Sequence, residues 1–403
     1  MKKYIIFAAA ALVALAACSK VEVPETTPQR EIGFQIANYS TQTKANETSL
    51  LNEKADGQDI TSFTVNAWYH TGTEDAQQYM INQAVGYKAA TTEPAADAMW
   101  APTGRTYFWP KTGHINFFSY AGSPAADSVT EGTITYGSNT TAKTIDTDDN
   151  ILVADAAYRF SENNTGTGAI TSYHKNGVTE GVPTLFRHAL AQVSLKAKFD
   201  ASSVDDNKYK FEVDIQTLKI NADDQGYVVF HFAEPEGTTK ATAKMTETGV
   251  AWTPKAHYVD IPVPAANISA EKDLETVGGN AGEYTVFMDK FTVMPQNMVN
   301  DMGTTDDATD DKQATLTIKY KVTTIYNNDT EHAIHETIEN TVPLNSFFVH
   351  NTTTPINAWN MNTRYTYNII LKPGGVVLFD PAVEAWEPGD AATTTVEKQF
   401  PAN

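Results

Sequence analysis

The 403-residue chain is longer than one hydrophobic core usually organises, which points to two or three domains. Hydrophobic residues at 41% and aromatics at 10%, against 19% charged, exclude a disordered tail, and 29 basic against 49 acidic residues give a net charge of -20 that repels nucleic acid and anionic lipid headgroups. The one cysteine, Cys18, excludes intramolecular disulfides, multi-cysteine zinc knuckles and C-x-x-C redox sites.

Lys2 and Lys3 make a basic start, and Tyr4 to Ala17 is an apolar run of 14 residues that ends in small side chains. A spanning helix needs about 20 apolar residues, so residues 1–17 read as a signal peptide. Leu15-Ala16-Ala17-Cys18 resembles a bacterial lipobox, which implies diacylglycerol on the Cys18 thiol, cleavage before Cys18 and acylation of the new amine. Several acyl chains anchor a protein stably. Loss of Lys2 and Lys3 takes the mature charge to -22.

Residues 19–30 are polar and proline-containing, the composition of a tether. From Glu31 to Asn38, Ile32, Phe34 and Ile36 share one face, the period of two that a half-buried strand shows. Tyr39 to Leu50 is polar, with Lys44 in its middle, where a trypsin-like protease has access. Short β-branched and aromatic runs then recur between turn formers at 63–70, 106–110, 114–120, 134–136 and 150–156. A Gly, Asn and Ser rich stretch, 161–182, separates them from a second set at 185–199, 210–220, 226–232, 284–295, 314–326, 364–371 and 376–380. Long helical patterns are scarce. The expectation is all-β, with an N-terminal sandwich over 45–182 and a C-terminal sandwich over 183–403.

No G-x-S-x-G, P-loop, dinucleotide or H-E-x-x-H signature is present, so neither a catalytic centre nor a cofactor is expected. His332 and His335 stand at i and i+3, on opposite faces of an extended segment, and are not expected to share a metal. Asp146, Asp148 and Asn150 resemble the opening of a calcium loop but lack its Gly and Glu, which leaves a solvated acidic loop and no metal site. The aromatics Tyr107, Phe108, Trp109, Phe117, Phe118 and Tyr120 suit a core better than a sugar platform, because aromatic side chains carry the largest burial per residue.

Several segments together resemble the fimbrillin-like (FimA/Mfa-like) pilus subunits and accessory lipoproteins of Bacteroidetes. They run in order: the lipobox at Cys18, the strand EIGFQI, Thr43-Lys44-Ala45, YFWPKTGHINFFSY (107–120), LFRHALAQVSL (185–195), Val293-Met294-Pro295-Gln296, WNMNTRYTYNIIL (359–371) and Val383-Glu384-Ala385-Trp386. The resemblance implies two tandem transthyretin-like β-sandwiches, a route as an outer-membrane lipoprotein, and a fimbrium built from other subunits after a trypsin-like protease removes residues 18–44. Cutting after Lys44 releases the lipid and the strand carrying Ile32, Phe34 and Ile36, and opens an apolar groove that a partner's terminal strand can fill. The donor is expected within Val383 to Phe400, with Val383, Trp386, Val396 and Phe400 as pegs. Two positions depart from the family: Lys44 stands where an Arg is usual, with Arg30 as the other cut site, and Asn362-Thr363 replaces a Gly. The chain is thus expected to be a stalk or tip subunit without enzymatic activity. The alternative is an uncleaved lipoprotein acting as pilus anchor or, through Trp68 or Trp100, as a glycan-binding or host-protein-binding module.

Overall fold

The computed structural model describes residues 31–37, 61–71, 76–89, 91–92, 95–96, 99–110, 113–160, 181–202, 204, 208–233, 242–243, 250–268, 274–276, 283–300, 312–347, 355–373 and 377–385. Among these residues the elements are strands, apart from the 3-10 turns Ala265–Asn267 and Leu344–Ser346. The protein is all-β. The first half contributes β1 (Phe34–Ala37), β2 (Ser62–His70), β3 (Gln77–Lys88), β4 (Met99–Pro102), β5 (His114–Ser123), β6 (Ser128–Thr130), β7 (Thr133–Tyr136), β8 (Asn150–Ala154), β9 (Ala156–Phe160) and β10 (Val182–His188). The second half contributes β11 (Ala191–Phe199), β12 (Tyr209–Asp223), β13 (Gln225–His231), β14 (Tyr258–Pro262), β15 (Thr285–Val293), β16 (Thr315–Tyr326), β17 (Asp329–Pro343), β18 (Thr363–Leu371) and β19 (Val377–Ala385).

The largest sheet runs β8-β10-β1-β4-β3-β2-β5-β9, with Thr242–Ala243 beyond β9. Because β8 also pairs antiparallel with β5, the path from β8 through β10, β1, β4, β3, β2 and β5 closes on itself. One core fills this ring, built from Ile32, Phe34, Ile36, Phe63, Val65, Trp100, Phe117, Leu152 and Phe186 among others. A second core lies outside the ring wall, between β5 and β8 on one side and a sheet of β13, β7 and β6 on the other. Alternation feeds both: on β5, Ile115 and Phe117 point into the ring while Phe118 and Tyr120 point to the second core. Both faces of β5 are therefore buried, which is why its sequence reads as a nearly continuous apolar run.

The third core is a two-sheet sandwich of β15-β11-β18-β19 against β14-β12-β16-β17. Here the expected one-wet-face alternation is present: Phe211, Val213 and Ile215 point in, while Lys210, Glu212 and Asp214 point out.

The expected division at 182/183 falls at the start of β10, a strand hydrogen-bonded into the ring beside β1 and β8. The chain also returns. After Asp224 the long β12 continues as β13, which leaves the sandwich and pairs with β7, carrying Val228 and Phe230 into the second core. Trp252 follows it there and donates its indole N–H to the Ala189 carbonyl at 2.7 Å. These segments lie far along the chain from β5 and β7, and periodicity has no access to that distance.

Asn362 has φ 56°, a left-handed conformation that Asn tolerates better than other side chains. Its N–H donates to the Leu190 carbonyl at 3.0 Å and its Oδ1 accepts from the His188 N–H at 3.3 Å, which tethers β18 to the end of β10.

Phe118 is fully buried, with Trp68, Tyr158 and Phe232 as ring neighbours at 5.5, 5.5 and 5.9 Å. Phe118→Ala is expected to cost about 3–5 kcal/mol, read as an earlier urea midpoint followed by intrinsic fluorescence.

Candidate functional site

The first strand is the element that joins sequence pattern to ring geometry. Ile32, Phe34 and Ile36 are 0, 3 and 3% exposed, so the face picked out by alternation is wholly inside the ring. Phe34 meets Phe63 and Phe117 edge-on, with centroids at 5.4 and 5.7 Å. Burying three such side chains contributes about 1.5–3 kcal/mol each.

The backbone contribution is smaller. β1 runs parallel to β10 over four residue pairs, Phe34 with Val182 through Ala37 with Leu185, and meets β4 antiparallel at the single pair Phe34 with Trp100. Parallel pairing is slightly weaker per residue than antiparallel. The Val182 N–H donates to the Gly33 carbonyl at 2.8 Å, and the Ile32 N–H to the Tyr107 carbonyl at 2.8 Å. Glu31 forms a bridge with Phe108 and an ion pair with Lys88 at 3.1 Å, exposed on both sides and therefore weak. Side chains in the ring core hold β1 more than its ladder does.

Gly181 makes the close approach possible. A Cβ on it would lie 2.5 Å from the Phe34 nitrogen and 2.6 Å from the Gly33 carbonyl. No side chain fits between β1 and the entry to β10. The wall on that side is clamped independently of β1, because the Arg187 guanidinium pairs with the Asp155 carboxylate at 3.4 Å with both side chains buried.

Cys18, Arg30, Lys44, Trp386, Val396 and Phe400 lie outside the described residues. Val383 is placed: it pairs with Tyr365 in the antiparallel β18–β19 ladder, is half-buried, and packs on the sandwich core at the sheet's edge strand. Spacing alone did not reveal that the stretch from Val377 to Ala385 is already spoken for by β18.

The other sequence candidates resolve into structure. His332 Nδ1 meets Asp329 Oδ2 at 2.8 Å, while His335 Nδ1 meets Thr323 Oγ1 at 3.0 Å, so the two rings serve different partners. Among the described residues no group of three His, Cys, Asp or Glu is placed to hold a metal. The acidic loop closes on itself: the Asp146 N–H donates to Asp149 Oδ2 at 2.8 Å, and buried Asn150 meets His188 Nδ1 at 2.8 Å. Burial, with Asp146 and Asp148 nearby, raises the Asp149 carboxyl above the usual range. Tyr107, Phe117, Phe118 and Tyr120 are core residues, whereas Phe108 is 38% exposed. Trp100 faces the ring interior at 3% exposure, whereas Trp68 is half-buried and packs edge-on with Phe118.

No protein-family model and no curated protein matches the sequence. Solved structures do resemble it. A candidate cell adhesion protein from Parabacteroides distasonis is 14% identical over 89% of this chain and 99% of its own, with a TM-score of 0.44. The tip fimbrial protein Mfa3 of Porphyromonas gingivalis is 10% identical over 88% of this chain and 100% of its own, with a TM-score of 0.36. A fimbrilin from the same species, strain W83, is 10% identical over 92% and 98%, with a TM-score of 0.35.

Gly181→Ala is expected to push β1 off β10: the Val182 amide loses hydrogen-exchange protection and the melting temperature falls, whereas an amide in β16 keeps its protection.

Proposed function

We propose that this chain is a fimbrillin-like, non-enzymatic subunit of a cell-surface pilus that reaches the outer membrane as a lipoprotein on Cys18 and polymerises by strand exchange. The observation that carries this reading is the place of β1. It is a short stave of a closed ring, its three pegs are buried, and it is joined to the rest of the chain only through residues 38–60, which contain Lys44.

A cut after Lys44 by a trypsin-like protease severs that one covalent link. The strand then stays only by its own affinity, and its departure leaves β10 and β4 with unpaired backbone groups around an apolar slot. A strand from another subunit fills such a slot with main-chain bonds and alternate side chains. The donor lies in Val383–Phe400. Because β19 is engaged with β18 as far as Ala385, Val383 serves as its root, and Trp386, Val396 and Phe400 are the pegs offered onward. A cut at Arg30 instead sheds the lipid and leaves β1 in place, because Arg30 precedes the strand. A chain cut at neither site keeps its lipid and serves as the anchor of the fibre.

Limited trypsin treatment of the non-lipidated protein is expected to yield a product starting at Ala45 and SDS-resistant multimers, while Lys44→Gln stays uncut there and monomeric. A cut product that loses β1 and remains strictly monomeric contradicts the proposal.

A further inference from the structure

We propose that the cleft at the end of the β16–β17 hairpin is a saccharide-binding site that seats one neutral pyranose ring. The hairpin turns through Asn327 and Asn328, at φ 49° and 61°, the two-residue turn whose twist matches paired strands. The antiparallel β12–β16 ladder places Tyr326 directly across from Tyr209, the first residue of β12. Beside them opens a cleft of about 370 Å³, lined by Tyr209, Thr324, Tyr326, Asp329, His332 and Ile334.

Three features make this a place for a ligand and not a stretch of ordinary surface. First, the described residues include seven exposed large apolar side chains, and three of them, Tyr209 at 38%, Tyr326 at 50% and Ile334 at 69%, line this one cleft. Such clustering marks a contact surface. Secondly, the two tyrosine rings stand 5.2 Å apart at 51°, so they offer two inclined apolar faces, with Tyr209 backed by the nearly parallel ring of Phe211 at 6.4 Å. Thirdly, the rim is polar and fixed in orientation. Asp329 Oδ1 accepts from the N–H groups of Glu331 and His332 at 3.1 and 3.2 Å, and Oδ2 holds His332 Nδ1 at 2.8 Å. With Nδ1 turned to Asp329, the His332 ring leaves Nε2 for a ligand hydroxyl.

Apolar faces bounded by acceptors and hydroxyls match the two surfaces of a pyranose, whose C–H face lies on an aromatic ring while its hydroxyl edge meets carboxylate, imidazole and hydroxyl groups. An aliphatic occupant would desolvate the Asp329–His332 pair without replacing its hydrogen bonds. Asp329 and Glu331 repel an acidic sugar, which selects a neutral one. The cleft belongs to the sandwich core's far edge and shares no residue with β1 or its groove, so binding is independent of strand exchange.

Saturation-transfer NMR on the full chain, with methyl β-galactopyranoside, methyl α-mannopyranoside and methyl β-glucopyranoside as probes, tests the proposal. At least one glycoside is expected to receive saturation through its ring C–H protons, and Tyr326→Ala and Asp329→Asn are each expected to weaken it about tenfold, equivalent to about 1.4 kcal/mol. Tyr326→Phe retains binding. If Tyr326→Ala unfolds, the Asp329→Asn measurement decides. The proposal is overturned if no glycoside gives a signal, if the signal survives Asp329→Asn, or if tetramethylammonium binds where the glycosides do not, which makes the cleft an aromatic cage for a cation.

Discussion

The closure of the ring by β1 is the constraint on which the N-terminal architecture depends. A sheet that closes has no edge, but here one stave is four residues long, runs parallel to one neighbour, and touches the other at one residue pair. Its retention rests on Ile32, Phe34 and Ile36 in the ring core. Ordering a strand costs roughly 1–2 kcal/mol per residue, comparable with what the three pegs return. Tethering tilts that balance, because a segment joined to its own groove rebinds at an effective concentration in the range of millimolar. In the proposed exchange, severing the tether would remove that advantage without changing one contact, leaving a strand secure before a cut and replaceable after it.

The strands beside β1 are also held by contacts that do not involve it. β10 keeps its antiparallel ladder to β8 and the buried Arg187–Asp155 pair, and β4 keeps its ladder to β3. On the other side of the wall, the second core draws residues from both halves of the chain, with Phe118 and Tyr136 from the first and Phe230, Trp252 and Met294 from the second. Backbone links from Thr292 to Thr147 and from Asn362 to Leu190 add to this. The groove is therefore built into a scaffold whose other strands are fixed independently of the one that plugs it.

Much of this was legible in the sequence. The alternation of Ile32, Phe34 and Ile36 marked both the strand and its buried face, because period-two patterning is a local property. The all-β class followed from short runs between turn formers, and the bias of Tyr107, Phe117 and Phe118 towards core followed from aromatic burial. The features that sequence patterns do not reach are non-local. That β10 belongs with β1 depends on a parallel pairing between Phe34 and Val182, distant in the chain, and on the close approach of Gly181 to the Gly33 backbone, which no single-sequence pattern encodes. That Val383 is held by Tyr365 depends on the register between β18 and β19. Trp100, named beside Trp68 for the binding-module alternative, pairs antiparallel with Tyr87 and is buried in the ring core.

Hydrogen-exchange mass spectrometry on the protein cut after Lys44 tests the central claim most directly. The account predicts that amides of Met99–Pro102 and Val182–His188 lose protection as β1 departs, that those of β16 do not, and that a peptide spanning Val383–Phe400 restores it. Unchanged protection in both groove strands with β1 still bound would contradict it.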